Sequence, residues 1–102
     1  MLTLNRAKRL ALEGVSWATG APADDLRVLD GETRCTRAGW FFRYESRAFV
    51  ETGAVAYALG NTGPVVVTHR GVVHLLSGGL SIDEAPADFE RYRADCTTRA
   101  PA

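Results

Sequence analysis

The sequence predicts an α+β domain in which an N-terminal helix packs on an antiparallel sheet of four to six strands, with a short C-terminal helix. Three observations predict it. From Thr3 to Thr19 the apolar residues Leu4, Ala7, Leu10, Ala11, Val15 and Ala18 recur at helical spacing. From Trp40 to Ser46 the pattern alternates instead, with Trp40, Phe42 and Tyr44 on one face and Phe41, Arg43 and Glu45 on the other. Near the end, Ser81-Ile82-Asp83-Glu84 has the S-x-x-E form of a capping box.

Each element has its own local signals. Thr3 suits the start of the first helix, and Gly20 with Pro22 its stop. Trp17 sits seven residues beyond Leu10 and joins the apolar stripe, while Arg6, Lys8, Arg9 and Glu13 fall on the other side. Gly14 costs the helix about 1 kcal/mol relative to Ala, so tertiary packing must hold it. Leu26 to Leu29 reads as a strand, Asp30-Gly31 as a hairpin turn, and Glu32 to Arg37 as a polar edge strand broken by Ala38-Gly39.

Trp40 to Ser46 is the clearest strand, and its first face should meet the helix. Arg47 to Gly63 fits neither period and reads as an excursion with a short strand or a helical turn near Val55 to Leu59. Pro64 to Thr68 and Val72 to Leu76 form a hairpin across His69-Arg70-Gly71. Because Val65 to Val67 is apolar without alternation, that hairpin is expected at the centre of the sheet. The last helix is expected to start between Ser81 and Ala85 and to run through Phe89 and Tyr92 to Ala94.

Composition narrows the function. The 102 residues suit one domain, placed at residues 1–96, with 97–102 as a frayed tail. Hydrophobic residues make up 46% of the chain, enough to build a core. Twelve basic side chains balance twelve acidic ones, which argues against nucleic acid as the main partner and leaves a homodimer open. Cys35 and Cys96 are too sparse for a disulfide framework and read as reduced thiols. The first residues lack a signal-peptide pattern and no stretch is long and apolar enough for a span, so a cytoplasmic protein without membrane contact is expected.

No catalytic constellation, metal site or cofactor is expected. His69 and His74 flank one hairpin without a third ligand. No nucleophile stands in a recognisable motif beside a base, and Gly60-Asn61-Thr62-Gly63 lacks the Lys-Ser/Thr of a phosphate loop, so it reads as a turn. Glu45 and Arg43, two apart on one strand face, read as a surface ion pair rather than acid–base machinery. The aromatic residues are more informative. One strand face suffices for the helix, so Phe41, Phe49 and Tyr57 must be covered by the excursion or left exposed beside Arg residues, the usual composition of a protein-binding hot spot. The candidate partner-binding set is Phe41, Arg43, Glu45, Phe49, Glu51 and Tyr57.

The run Ala38-Gly39-Trp40-Phe41-Phe42-Arg43-Tyr44-Glu45-Ser46 is followed by Glu51-Thr52-Gly53, Ala58-Leu59-Gly60-Asn61, Gly63-Pro64-Val65-Val66-Val67 and Gly71-Val72-Val73-His74. That ordered set resembles the immunity protein 35 family, or YrhB-type proteins, over roughly residues 3 to 93. The family's usual Thr-Gly after the His strand stands here as Ser77-Gly78. The resemblance implies an α+β immunity protein of a bacterial polymorphic toxin system, which binds and neutralises a cognate toxin domain without catalysis. The alternative role is a small chaperone-like protein binding unfolded clients.

Overall fold

The computed structural model describes residues 2–59 and 62–91. Helix α1 (Leu4–Thr19) starts where expected. The Thr3 hydroxyl accepts from the Arg6 backbone N–H at 3.3 Å, and left-handed Gly20 closes the helix by donating its N–H to the Ser16 carbonyl. Four strands follow, β1 (Leu26–Cys35), β2 (Gly39–Ser46), β3 (Val65–Thr68) and β4 (Val73–Leu75), antiparallel and in sheet order β1-β2-β3-β4. A six-residue helix, α2 (Arg47–Thr52), and a 3₁₀ turn at Val55–Tyr57 lie between β2 and β3. Helix α3 occupies residues 85–91.

Helical layers cover both faces of the sheet. On one side Ala7, Ala11 and Val15 of α1 meet Phe42, Tyr44, Val65, Val67 and Leu26, with Trp40 and Val73 at the margin. The Trp40 and Phe42 rings stack 6.4 Å apart, and the indole N–H donates to the Leu2 carbonyl at 2.9 Å, tying the start of α1 to the sheet. On the other side Phe41 and Val66 meet Ile82, Ala85 and Phe89. Phe41 and Phe89 pack edge to face with centroids 5.9 Å apart. Val65 to Val67 need no alternation because both of their faces are dry. β3 is indeed interior, but its hairpin partner β4 is the outermost strand.

Two expectations are corrected here. The Asp30-Gly31 signal is not a hairpin turn. Val28 pairs with Tyr44 and Thr33 with Phe42, so both halves of β1 lie along β2, and residues 29–32 bulge out opposite Arg43. A Thr33 Oγ1 to Leu29 carbonyl bond closes the bulge, and Lys8 of α1 holds its tip through Asp30. The reversal falls instead at residues 36–38, where the Thr36 N–H donates to the Gly39 carbonyl at 2.9 Å. Gly39, at φ 154°, follows this turn and lies against the Val67 carbonyl of β3, where any Cβ would collide. Trp17 is the second correction. It leaves the apolar stripe and is 90% exposed.

The capping box forms reciprocally. The Glu84 N–H donates to Ser81 Oγ and the Ser81 N–H donates to Glu84 Oε1, both at 3.1 Å. Phe89 docks in the core as expected. Tyr92, Ala94, Cys96 and the expected tail 97–102 lie outside the described residues.

Two predictions follow from this packing. A Cβ on Gly14 would stand 2.6 Å from Val73 Cγ1. Overpacking costs about 1–3 kcal/mol, and the gain in helix propensity is about 1 kcal/mol. Gly14→Ala is therefore expected to lower the urea midpoint, whereas Gly31→Ala, with nothing within 4 Å, leaves it unchanged. Hydrogen bonds from Ser81 hold the Glu84 carboxyl below its ordinary pKa. With the folded value depressed, the cap's contribution is present above the unfolded pKa and lost as pH falls through the folded one. Acid titration followed by NMR should loosen the first turn of α3 in that window, and Glu84→Gln should flatten the response.

Candidate partner-binding surface

The segment after β2 begins as a helix because Ser46 caps it. Ser46 Oγ accepts from the Phe49 N–H at 3.0 Å and donates to the Tyr57 carbonyl at 2.6 Å. Thr52 and Gly53 end it. Gly53 turns left-handed and donates its N–H to the Phe49 carbonyl, while Thr52 Oγ1 donates to the Ala48 carbonyl and accepts from the Ala54 N–H. Glu45, the penultimate residue of β2, accepts through Oε2 from the N–H groups of Ser46 (2.8 Å) and Leu59 (2.9 Å). One carboxylate thus pins both ends of the excursion to the sheet. Arg47 adds weaker exposed pairs to Asp25 (3.8 Å) and Glu51 (3.7 Å), each worth under about 1 kcal/mol.

Held this way, the segment presents apolar side chains to solvent. Val55 is 83% exposed and Tyr57 53%, and Val50 and Leu59 are also exposed. Four such residues within ten positions, on backbone already fixed, form a surface suited to binding protein.

The six residues singled out from the sequence divide. Tyr57 and Glu51 are exposed on this segment, and Phe49 is half-buried on it. Glu45 is half-buried and holds the segment through backbone N–H groups; its expected ion pair with Arg43 is replaced by these bonds. Arg43 instead points to the other helical layer, with Nη1 donating to the Leu80 carbonyl at 3.4 Å. Phe41 has no exposed surface at all. The second face of β2, expected to be open for recognition, is covered by Ile82, Ala85 and Phe89, so Phe41 sits in the core of this arrangement. Val50, Val55 and Leu59 were not singled out from the sequence. Their signal was the misfit itself, apolar residues that follow neither helical nor strand spacing.

The histidines are separated. His69 Nε2 donates to the Thr36 carbonyl at 2.9 Å and joins the two turns at one end of the sheet, while His74 packs against Phe89 on the opposite face from α1. Burial, with Glu45 nearby, pushes the Tyr44 hydroxyl above its ordinary pKa. Among the described residues there is no group of three His, Cys, Asp or Glu side chains placed to hold a metal, and no helix long and apolar enough to cross a membrane.

Comparison with known proteins gives the class. Residues 6–95 match the family Immunity protein 35, and the chain belongs to that family. The chain is also similar to the uncharacterized protein YrhB of Escherichia coli (strain K12), 33% identical over 57 residues, which cover 55% of this chain and 61% of that relative. The match therefore spans less than two thirds of the relative's length. No solved structure matches the chain. Membership of an immunity-protein family carries a toxin-neutralising role in general, with a toxin as the general class of partner.

The role assigned to Glu45 has a direct check. Glu45→Ala is expected to speed amide exchange at Leu59 about ten-fold, the factor that corresponds to 1.4 kcal/mol, while exchange in β3 stays unchanged. Equal acceleration in both places would mean that Glu45 acts on global stability.

Proposed function

We propose that this chain is a stoichiometric, non-catalytic inhibitor that binds a cognate bacterial toxin domain in the cytoplasm and neutralises it by direct contact. The contact surface is the pinned segment from Arg47 to Leu59, with Tyr57, Val55 and Val50 as apolar anchors and Glu51 and Arg47 at the polar rim. The observation that carries this reading is the exposure of Val55 and Tyr57 on backbone fixed by Glu45 and Ser46. Ordering such a loop only on binding would cost affinity for each immobilised residue; a loop already ordered avoids most of that cost.

Family membership supports a toxin as the partner, and the apolar character of the surface favours a protein over a nucleic acid. Phe49 and Glu45 act beneath the contact, by shaping and holding it. A toxin domain encoded beside this reading frame would be the partner to test. Purified wild-type chain is expected to bind it one to one by calorimetry and to protect cells that express it. Val55→Asp combined with Tyr57→Ala should weaken binding by at least about 30-fold, the loss of a hot spot of 2 kcal/mol or more, with no change in the thermal unfolding midpoint. Full protection by the double variant would move the interface elsewhere. Suppression of aggregation of unrelated unfolded clients, without toxin binding, would favour the chaperone-like role.

A further inference from the structure

The end of the sheet opposite the toxin-binding segment carries a second surface of different chemistry. β2 runs from Gly39 at this end to Ser46, where the pinned segment starts, so its eight residues put about 24 Å between the two. The turns at residues 36–38 and 69–71 lie side by side here. Gly39 pairs with Thr68, and His69 Nε2 donates to the Thr36 carbonyl at 2.9 Å. Helix α1 reaches the same end. The Trp40 indole holds its start through the Leu2 carbonyl, and Leu10 Cδ1 lies 3.8 Å from the Cβ position of Gly71. Arg6, one turn before Leu10, shares that flank of the helix.

Exposed arginines stand on all three elements: Arg37 on the first turn, Arg70 on the second and Arg6 on the helix. Elsewhere cations are neutralised, Lys8 by Asp30, Arg34 by Asp83, Arg47 by Asp25 and Glu51, and Arg91 by Asp88. Among the described residues Arg6, Arg37 and Arg70 have no such carboxylate. The acidic residues of these elements lie away from this end, Asp30 and Glu32 in the bulge of β1 and Glu13 nearly two turns beyond Arg6. The first turn of α1 contains no acidic residue, so the positive end of the helix dipole adds to the same field. A net charge of zero therefore conceals a cationic end. The two turn tips stand two strand spacings apart, roughly 10 Å, and the His69 bond ties one to the other.

We propose that this end docks an acidic segment of a second protein, with Arg37 and Arg70 each taking a carboxylate and Arg6 reinforcing them from the helix. The guanidinium group suits this task, because its planar fork meets a carboxylate through two parallel N–H donors. Carboxylates about 10 Å apart correspond to three residues of extended chain, so a segment with acids at that spacing bridges both turns. Two observations favour protein over nucleic acid. Exposed apolar side chains, Val72 beside the second turn and Leu4 at the start of α1, flank the arginines and offer contact area of the kind protein interfaces use. Neither turn carries an aromatic ring, and nor do the first two turns of α1, so nothing there stacks a base. Both tips are already tied together and α1 rests against one of them, so docking orders little backbone. The toxin and the acidic segment can occupy their two ends together.

The test uses the full chain and a labelled oligo-glutamate peptide as the probe. Fluorescence anisotropy should show saturable binding at low ionic strength, weakening as salt brings the screening length down to about 8 Å. Arg37→Glu and Arg70→Glu should each weaken it about ten-fold or more, since each sets like charges face to face. Arg91→Glu makes the same change of net charge on α3 and should leave peptide binding unchanged. All three side chains are exposed, so the circular dichroism spectrum and thermal midpoint should stay as in the wild type. Toxin binding by the Arg70→Glu chain should also be unaltered. No binding of the peptide, or an equal loss with Arg91→Glu, would overturn the proposal. Tighter binding of duplex DNA or of phosphatidylserine vesicles than of the peptide would overturn it too, and would assign this end to that anion. Loss of toxin binding by Arg70→Glu would overturn it by showing that the toxin itself covers the basic end.

Discussion

Burial of both faces of β2 is the constraint on which the rest of the structure depends. Trp40, Phe42 and Tyr44 are placed against α1, and Phe41 on the reverse is placed against Phe89. Fully burying one such aromatic side chain stabilises the fold by about 1.5–3 kcal/mol, so neither face can be left wet without loss. The strand therefore needs two covers, and the chain supplies them from its two ends. Gly39 lets β2 lie close to β3, and Gly14 lets α1 descend onto Val73. Both glycines serve the same close packing of a small sheet between two helical layers.

A sheet covered on both faces has little flat surface left for recognition. What remains is its rim: the excursion after β2 at one end and the outer strands β1 and β4 at the sides. Residues 47–59 are held to the sheet by bonds visible in their chemistry. A single carboxylate, Glu45, satisfies the backbone N–H groups of both Ser46 and Leu59, and Ser46 both caps α2 and reaches the Tyr57 carbonyl. Polar groups hold the backbone, which frees Val55 and Tyr57 to face outward. That division of labour fits an inhibitor with a preformed contact surface, consistent with membership of the Immunity protein 35 family.

Much of the fold was legible because its signals are local. Thr3, Gly20, Ser81 and Glu84 announce helix ends through hydrogen bonds to neighbours in sequence, and the structure forms each of them. The hairpin across residues 69–71 was likewise readable. Asp30-Gly31 was misread because the dipeptide marks a local irregularity of either kind; Gly31 does not take the positive φ of a two-residue hairpin turn, and only the pairing with β2 shows the bulge. Helix α2 was missed because it is six residues long and is stabilised by its caps rather than by an apolar stripe. Among the candidate contacts, Tyr57 and Glu51 were placed on an exposed segment, whereas Phe41 was not. Alternation shows that Phe41 points away from α1, but not that α3 returns to cover it. Trp17 failed in the opposite sense, since helical spacing cannot show where the sheet beneath α1 ends.

The central claim is that recognition lies on the pinned excursion and leaves the doubly covered strand intact. Hydrogen–deuterium exchange of the chain, free and bound to its toxin, tests it most directly. New protection concentrated at residues 47–59, with β2 and α3 unchanged, is the expected result. Deprotection of α3 with newly accessible Phe41 would mean that the partner displaces the C-terminal layer and binds the strand itself, contradicting the account.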